Sequence, residues 1–106
     1  MTGDFGKAVL NLAKKIPKGR VSTYGEIARE ITGTDHAARA VGQALAKNPD
    51  VVSVPCHRVV KSNGDVGGYQ LGVDKKVDLL RAEGVEIAGR KVLNFEKIRF
   101  RFIDKK

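Results

Sequence analysis

Residues 23–47, TYGEIAREITGTDHAARAVGQALAK, decide the fold. Thr23 stands three positions before Glu26. That is the spacing of a capping box, in which a threonine hydroxyl accepts from the amide three residues on. Ile27, Ala28 and Ile31 continue at helical intervals, and Gly33 supplies a stop. Asp35 can cap a second helix over 36–47, with Ala40, Val41, Ala44 and Leu45 on its apolar side and Pro49 closing it. Two short helices joined by a tight glycine-containing turn make a helix-turn-helix, whose second helix usually enters a DNA groove. The small residues of that helix, Ala38, Ala40 and Gly42 among them, permit close approach to another backbone, although such alanines more often serve core packing. Arg39, near its start, is harder to assign to packing.

The flanks extend this pattern. Phe5, Val9, Leu12 and Ile16 recur at helical spacing until Pro17 and Gly19 stop them. Ser62-Asn63-Gly64-Asp65 is a turn, and Gly67-Gly68 suggests a backbone that bends sharply or is closely approached. Asp74 can cap a helix over 75–82 with Val77, Leu79 and Leu80 as its apolar set, ended by Gly84. Phe95, Ile98, Phe100 and Phe102, spaced largely by two, read as a terminal strand over 97–102 with one buried face. The expected fold is mostly α with a small β element, a winged-helix-like helix-turn-helix domain occupying 1–106 as one unit.

Composition narrows the partners. The 106 residues carry a net charge of +8, with 42% hydrophobic and 30% charged residues, which suits a globular domain. Its sequence pI near 9.9 points to an anionic partner, nucleic acid before membrane. No apolar run approaches the ~20 residues that span a bilayer, and the polar N-terminus has no secretory core. The single cysteine fits a reducing compartment, the cytoplasm or a nucleus.

That cysteine sits in Pro55-Cys56-His57-Arg58-Val59. Alone, it makes neither an intrachain disulfide nor a cysteine-rich zinc site, so it is a small buried hydrophobe or a nucleophile. Gly67-Gly68 is not a phosphate loop, since no GxxxxGK[ST] is present.

From about Ile16 to Gly84 the chain resembles the alkylguanine-DNA alkyltransferases. The resemblance is carried by residues 19–28 (GRVSTYGEIA), 38–42 (ARAVG), Asn48-Pro49, 55–60 (PCHRVV), Gly67-Gly68-Tyr69 and 79–84 (LLRAEG), in the family's order and with family-like spacing. It implies a suicide repair protein that binds double-stranded DNA in the minor groove, flips out a 6-O-alkylguanine and takes the alkyl group onto Cys56. No cofactor or metal is implied, and a monomer is expected. The attacked carbon is sp³, so the reaction is an in-line displacement that needs a soft nucleophile and a stabilised leaving group, with no oxyanion hole.

An ordinary thiol, pKa ~8.5, is only a few per cent thiolate at neutral pH. The resemblance makes His57 the base, acting through a water, and Glu83 the group that orients its imidazole. Adjacent residues of an ideal strand face opposite ways, so Cys56 and His57 need a turn or a bridging water. The Tyr24 hydroxyl would donate to a ring nitrogen of the leaving guanine. Arg39 would fill the gap left by the flipped base, although a phosphate contact also fits its charge. Asn48 would bridge the recognition helix and the active-site turn, or simply cap the helix before Pro49. Tyr69 and Gln70 would line the base pocket, and the carbonyls of Cys56 and Val59 would read the guanine amino group.

Relatives commonly carry an extra N-terminal domain, and this chain offers about one helix there, so the module is expected to stand alone. The length also resembles alkyltransferase-like sensors, which bind alkylated DNA without repairing it and typically have another residue at the cysteine position. Cys56 argues for transfer. A helix-turn-helix transcription regulator would explain the charge and Arg39 but not the Cys-His block with Tyr69 and Glu83.

Overall fold

Thr23 opens its helix as the spacing predicts. Its hydroxyl accepts from the Glu26 amide at 2.9 Å, and α2 runs Tyr24–Thr32. Gly33 then turns left-handed (φ 88°) and donates its amide to the Arg29 carbonyl at 2.8 Å, a stop that a Cβ would disfavour. The second helix, α3, is Ala38–Ala46, shorter than the expected 36–47. Ala37 rather than Asp35 holds the N-cap position, with no side-chain cap. The Asp35 carboxylate pairs instead with Arg29 at 3.4 Å, and its carbonyl accepts from the Ala38 amide at 3.1 Å.

The computed structural model describes residues 2–51 and 53–102. Helix α1, Thr2–Ala13, packs against α2 and α3. Val9, Leu12, Ile27, Ala28, Val41 and Leu45 form the heart of one core, which also takes in Cys56, Val59 and Phe102. Ile16 belongs to this core although α1 stops at Ala13, short of the predicted end. The amides of Lys15 and Ile16 bond to carbonyls three residues back, which tightens the chain and folds Ile16 inward.

Past α3 the chain makes a 3₁₀ turn, Cys56–Arg58, and a short strand, β2 (Val59–Val60). Strand β2 pairs in parallel with β1 (Ser22–Thr23), Ser22 opposite Val59 and Thr23 opposite Val60. This pairing fastens the cysteine turn to the strand that leads directly into α2. Helix α4 is Val73–Ala82; Gly72, not Asp74, occupies its N-cap position. Asp74 lies in the first turn, where a carboxylate favours the helix dipole.

A hairpin of β3 (Ile87–Ala88) and β4 (Lys91–Val92) closes a second core around Val21, Val60, Val66 and Leu80. The predicted terminal strand is corrected: Phe95–Ile98 is a one-turn helix, α5. Only Arg99 bridges Val21, with the Phe100 amide bonded to the Val21 carbonyl at 2.6 Å. Phe95 and Ile98 are three apart, a helical interval, and the interval of two begins only at Ile98. The burial prediction holds for Phe102, which packs edge-on against Phe100 with ring centroids 5.2 Å apart. None of the described helices is long and apolar enough to cross a membrane.

Candidate active site

A cavity of about 650 Å³ opens where α3, the cysteine turn and the loop 68–70 meet. From α3 it is lined by Ala38, Arg39, Gly42, Leu45 and Ala46; Tyr24, Cys56, Lys61, Gly68, Tyr69 and Gln70 complete the wall. Of the residues named from sequence, Ala40, Asn48, His57, Val59 and Glu83 fall outside this lining. Ala40 is exposed on α3, and Val59 is buried in the core. Gln70 fastens the loop to the end of α3, its amide donating to the carbonyls of Leu45 (3.3 Å) and Asn48 (3.0 Å).

Tyr24, the first residue of α2, stands between two glycines. A Cβ at Gly42 would lie an ordinary 3.8 Å from its ring, but one at Gly67 would come within 3.0 Å of its hydroxyl. Gly67 also has φ +75°, so both space and backbone require glycine there. The expected close approach at this loop is thus an approach to Tyr24.

Cys56 is buried in the cavity wall. Asn48, just past α3, donates from Nδ2 to the Val54 carbonyl (3.1 Å) and to Cys56 Sγ (3.5 Å), and its Oδ1 accepts from the Asp50 amide (2.9 Å). It therefore ties the end of the second helix to the cysteine turn.

His57 and Glu83 also come together, with Nε2 and Oε2 3.0 Å apart. Burial pulls the imidazole below its ordinary range, against the opposing hydrogen bond and charge of Glu83. Burial would raise the Glu83 carboxyl, but hydrogen bonds from Arg58 and His57, with their charges, outweigh it and hold the group ionised. A carboxylate only accepts, so His57 Nε2 carries the hydrogen and Nδ1 is the basic nitrogen. Nδ1 is buried, with no hydrogen-bond partner among the described residues. The Tyr69 hydroxyl is in the same condition.

Sequence reasoning missed Lys76. Its side chain is fully buried, and Nζ donates to the carbonyls of Val59 (2.7 Å) and Gly68 (3.0 Å) and to the Tyr24 hydroxyl (3.3 Å). One ammonium thus joins α4 to β2, the pocket loop and α2. The signal was present: Val73, Lys76, Val77 and Leu80 lie on one helical stripe, so a lysine occupies a core position. An ammonium can only donate, so the Tyr24 oxygen accepts from it, and the phenol O–H in turn donates to the Gly68 carbonyl, 3.5 Å from oxygen to oxygen. Burial first, then the charges of Cys56 and Asp65, push the Tyr24 pKa up to about 12, so the phenol keeps its proton at neutral pH.

Burial lowers the Lys76 pKa to about 8 from the ordinary 10.5. The unfolded chain binds the proton more tightly across that interval, so stability rises with pH from about 8 to 10.5. Urea unfolding should show wild type gaining on the order of 3 kcal/mol relative to Lys76→Met over that range. A difference that does not change with pH would mean the buried amine holds its proton as tightly as in the unfolded chain, and would contradict the lowering by burial.

Together these elements define a class: a helix-turn-helix domain with a cysteine set in the cavity beside its second helix. Residues 4–85 match the model of a family described as 6-O-methylguanine DNA methyltransferase, DNA binding domain, and the chain belongs to that family. It is 51% identical over 81 residues to a methylated-DNA–protein-cysteine methyltransferase of Methanosarcina acetivorans, an alignment covering 76% of this chain and 51% of that protein. Among solved structures it resembles S. pombe Atl1 in complex with damaged DNA containing O6-carboxymethylguanine, with TM-score 0.82 and 37% identity over 93% of this chain and 96% of that one. It also resembles Mycobacterium tuberculosis OGT in complex with DNA, with TM-score 0.71 and 45% identity over 76% of this chain and 49% of that one. The chain spans about half the length of the curated methyltransferases it matches, 51% and 48% for two of them.

Proposed function

We propose that this chain repairs double-stranded DNA by moving the alkyl group of a 6-O-alkylguanine onto Cys56, once per molecule. The observation that carries the reading is Cys56 itself, in the cavity wall with Asn48 Nδ2 3.5 Å from its sulfur. The second helix lies in the minor groove, its small residues Ala38 and Gly42 admitting the backbone. Arg39 enters the stack as the damaged base swings into the cavity. Flipping costs a few kcal/mol of unstacking and unpairing, which an inserted side chain offsets.

His57, neutral at Nδ1, takes the thiol proton through a water, and Glu83 holds the ring. The thiolate attacks the alkyl carbon in line; the C–S bond forms as the C–O bond breaks, and the electron pair leaves with the guanine oxygen. Tyr24 donates its hydrogen to a ring nitrogen of the departing base, and Lys76 steadies the phenol oxygen. Tyr69 and Gln70 border the base. The Cys56 carbonyl accepts from the Val59 amide and the Val59 carbonyl from Lys76; a carbonyl oxygen has two lone pairs, and these two would also read the guanine amino group.

A thioether at Cys56 has no hydrolysable carbon, and the chain has no second cysteine to accept the group. Product should therefore plateau at one equivalent per protein, however much alkylated duplex is supplied. Continued formation without added thiol would show a true catalyst and refute the reading. The alternative is a damage sensor that binds without transfer; the observation on its side is the near-complete overlap with Atl1 in complex with damaged DNA. A sensor would give no product at all.

A further inference from the structure

All three side-chain nitrogens of Arg58 donate. Nε donates to Glu83 Oε1 (3.0 Å), Nη2 to Glu83 Oε2 (2.7 Å) and Nη1 to the Ile16 carbonyl (2.8 Å). Oε2 is the same oxygen that meets His57 Nε2 at 3.0 Å. The three side chains are 16%, 11% and 9% exposed for Arg58, Glu83 and His57, so water screens them little.

A lone carboxylate at this distance would orient the imidazole and also attract a second proton to it. Such a proximity raises a histidine pKa by about one to three units. With that proton on Nδ1 the ring would only donate, and it could not take a proton from Cys56. We propose that Arg58 is a positioning residue that divides the Glu83 carboxylate with His57, so that Glu83 orients the ring without protonating it. This rests on the reading of His57 as the base for Cys56. The charged groups that face His57 are Glu83 at the end of α4, Lys76 on the buried face of α4, and Arg58 on the 3₁₀ turn; the two cations oppose the carboxylate.

The whole chain offers a direct test, because it has only two histidines. His36 is exposed and serves as the internal reference. Imidazole resonances are followed by NMR against pH in wild type, Arg58→Met and Arg58→Lys. In Arg58→Met the His57 midpoint should rise by about one pH unit or more while that of His36 stays put. Arg58→Lys keeps the charge without the fork, so its rise should be smaller. Adding Glu83→Gln to Arg58→Met should cancel the rise. The acid limb of the methyl-transfer rate should move up with the His57 midpoint.

A folded Arg58→Met protein whose His57 midpoint is unchanged or lower overturns the proposal, as does a rise that survives Glu83→Gln. If Arg58→Met does not fold, Arg58→Lys decides by the same two directions. If wild type transfers no methyl group, the repair reading fails, and the ring titration still decides what Arg58 does.

Discussion

Cys56→Ala is expected to abolish alkyl transfer and leave DNA affinity within about twofold of wild type. The chain has no other thiol, and oxygen nucleophiles at neutral pH are far weaker toward an sp³ carbon. Binding should survive because α3 is fixed from below by Val41 and Leu45, which reach the core independently of the sulfur. Exchanging a thiol for hydrogen in that core costs about 1 kcal/mol, too little to unfold a domain stable by several. Mobility shift and transfer assays on one preparation measure both properties. A normally folded variant that no longer binds would show that the cysteine turn, not α3, makes the principal DNA contacts.

Arg39→Ala should slow repair of a duplex lesion on the order of a hundredfold, and change the reaction with free 6-O-methylguanine only a few-fold. Losing about 2–3 kcal/mol of support for the flipped state translates into that factor, at 1.36 kcal/mol per tenfold. A phosphate contact would contribute less, and its contribution would fade with salt. Single-turnover rates at low and high salt separate the two. A deficit that vanishes in salt assigns Arg39 to the backbone, and an equal deficit on the free base assigns it to the chemistry or the fold.

Local rules read the helix-turn-helix well. Thr23 and Gly33 act through bonds within four residues, so their neighbours in sequence are their neighbours in space. Asp35 failed as a cap because Arg29, on the preceding helix, competes for its carboxylate. The tail misled because Ile98 closes a helical interval and opens an extended one. At the site, the resemblance named Cys56, His57, Glu83, Tyr24 and Asn48; the fold sets Tyr24 and Cys56 in the cavity lining, Asn48 on the Cys56 sulfur, and His57 against Glu83. Lys76 and Arg58 were not legible in this way. Lys76 reaches Gly68, Val59 and Tyr24, which lie 8, 17 and 52 residues away, and Arg58 reaches Glu83 and Ile16, 25 and 42 away. A cation counted as surface charge becomes an interior strut only when such distant carbonyls and carboxylates converge on it.

The central claim is that Cys56 accepts the alkyl group. Intact-protein mass spectrometry after mixing with a duplex carrying one 6-O-methylguanine tests it most directly. The account predicts a gain of one methyl group, localised by peptide mapping to Cys56 and absent from Cys56→Ala. An unchanged mass in a protein that holds the same duplex tightly would contradict it, and would make this chain a sensor of alkylated DNA.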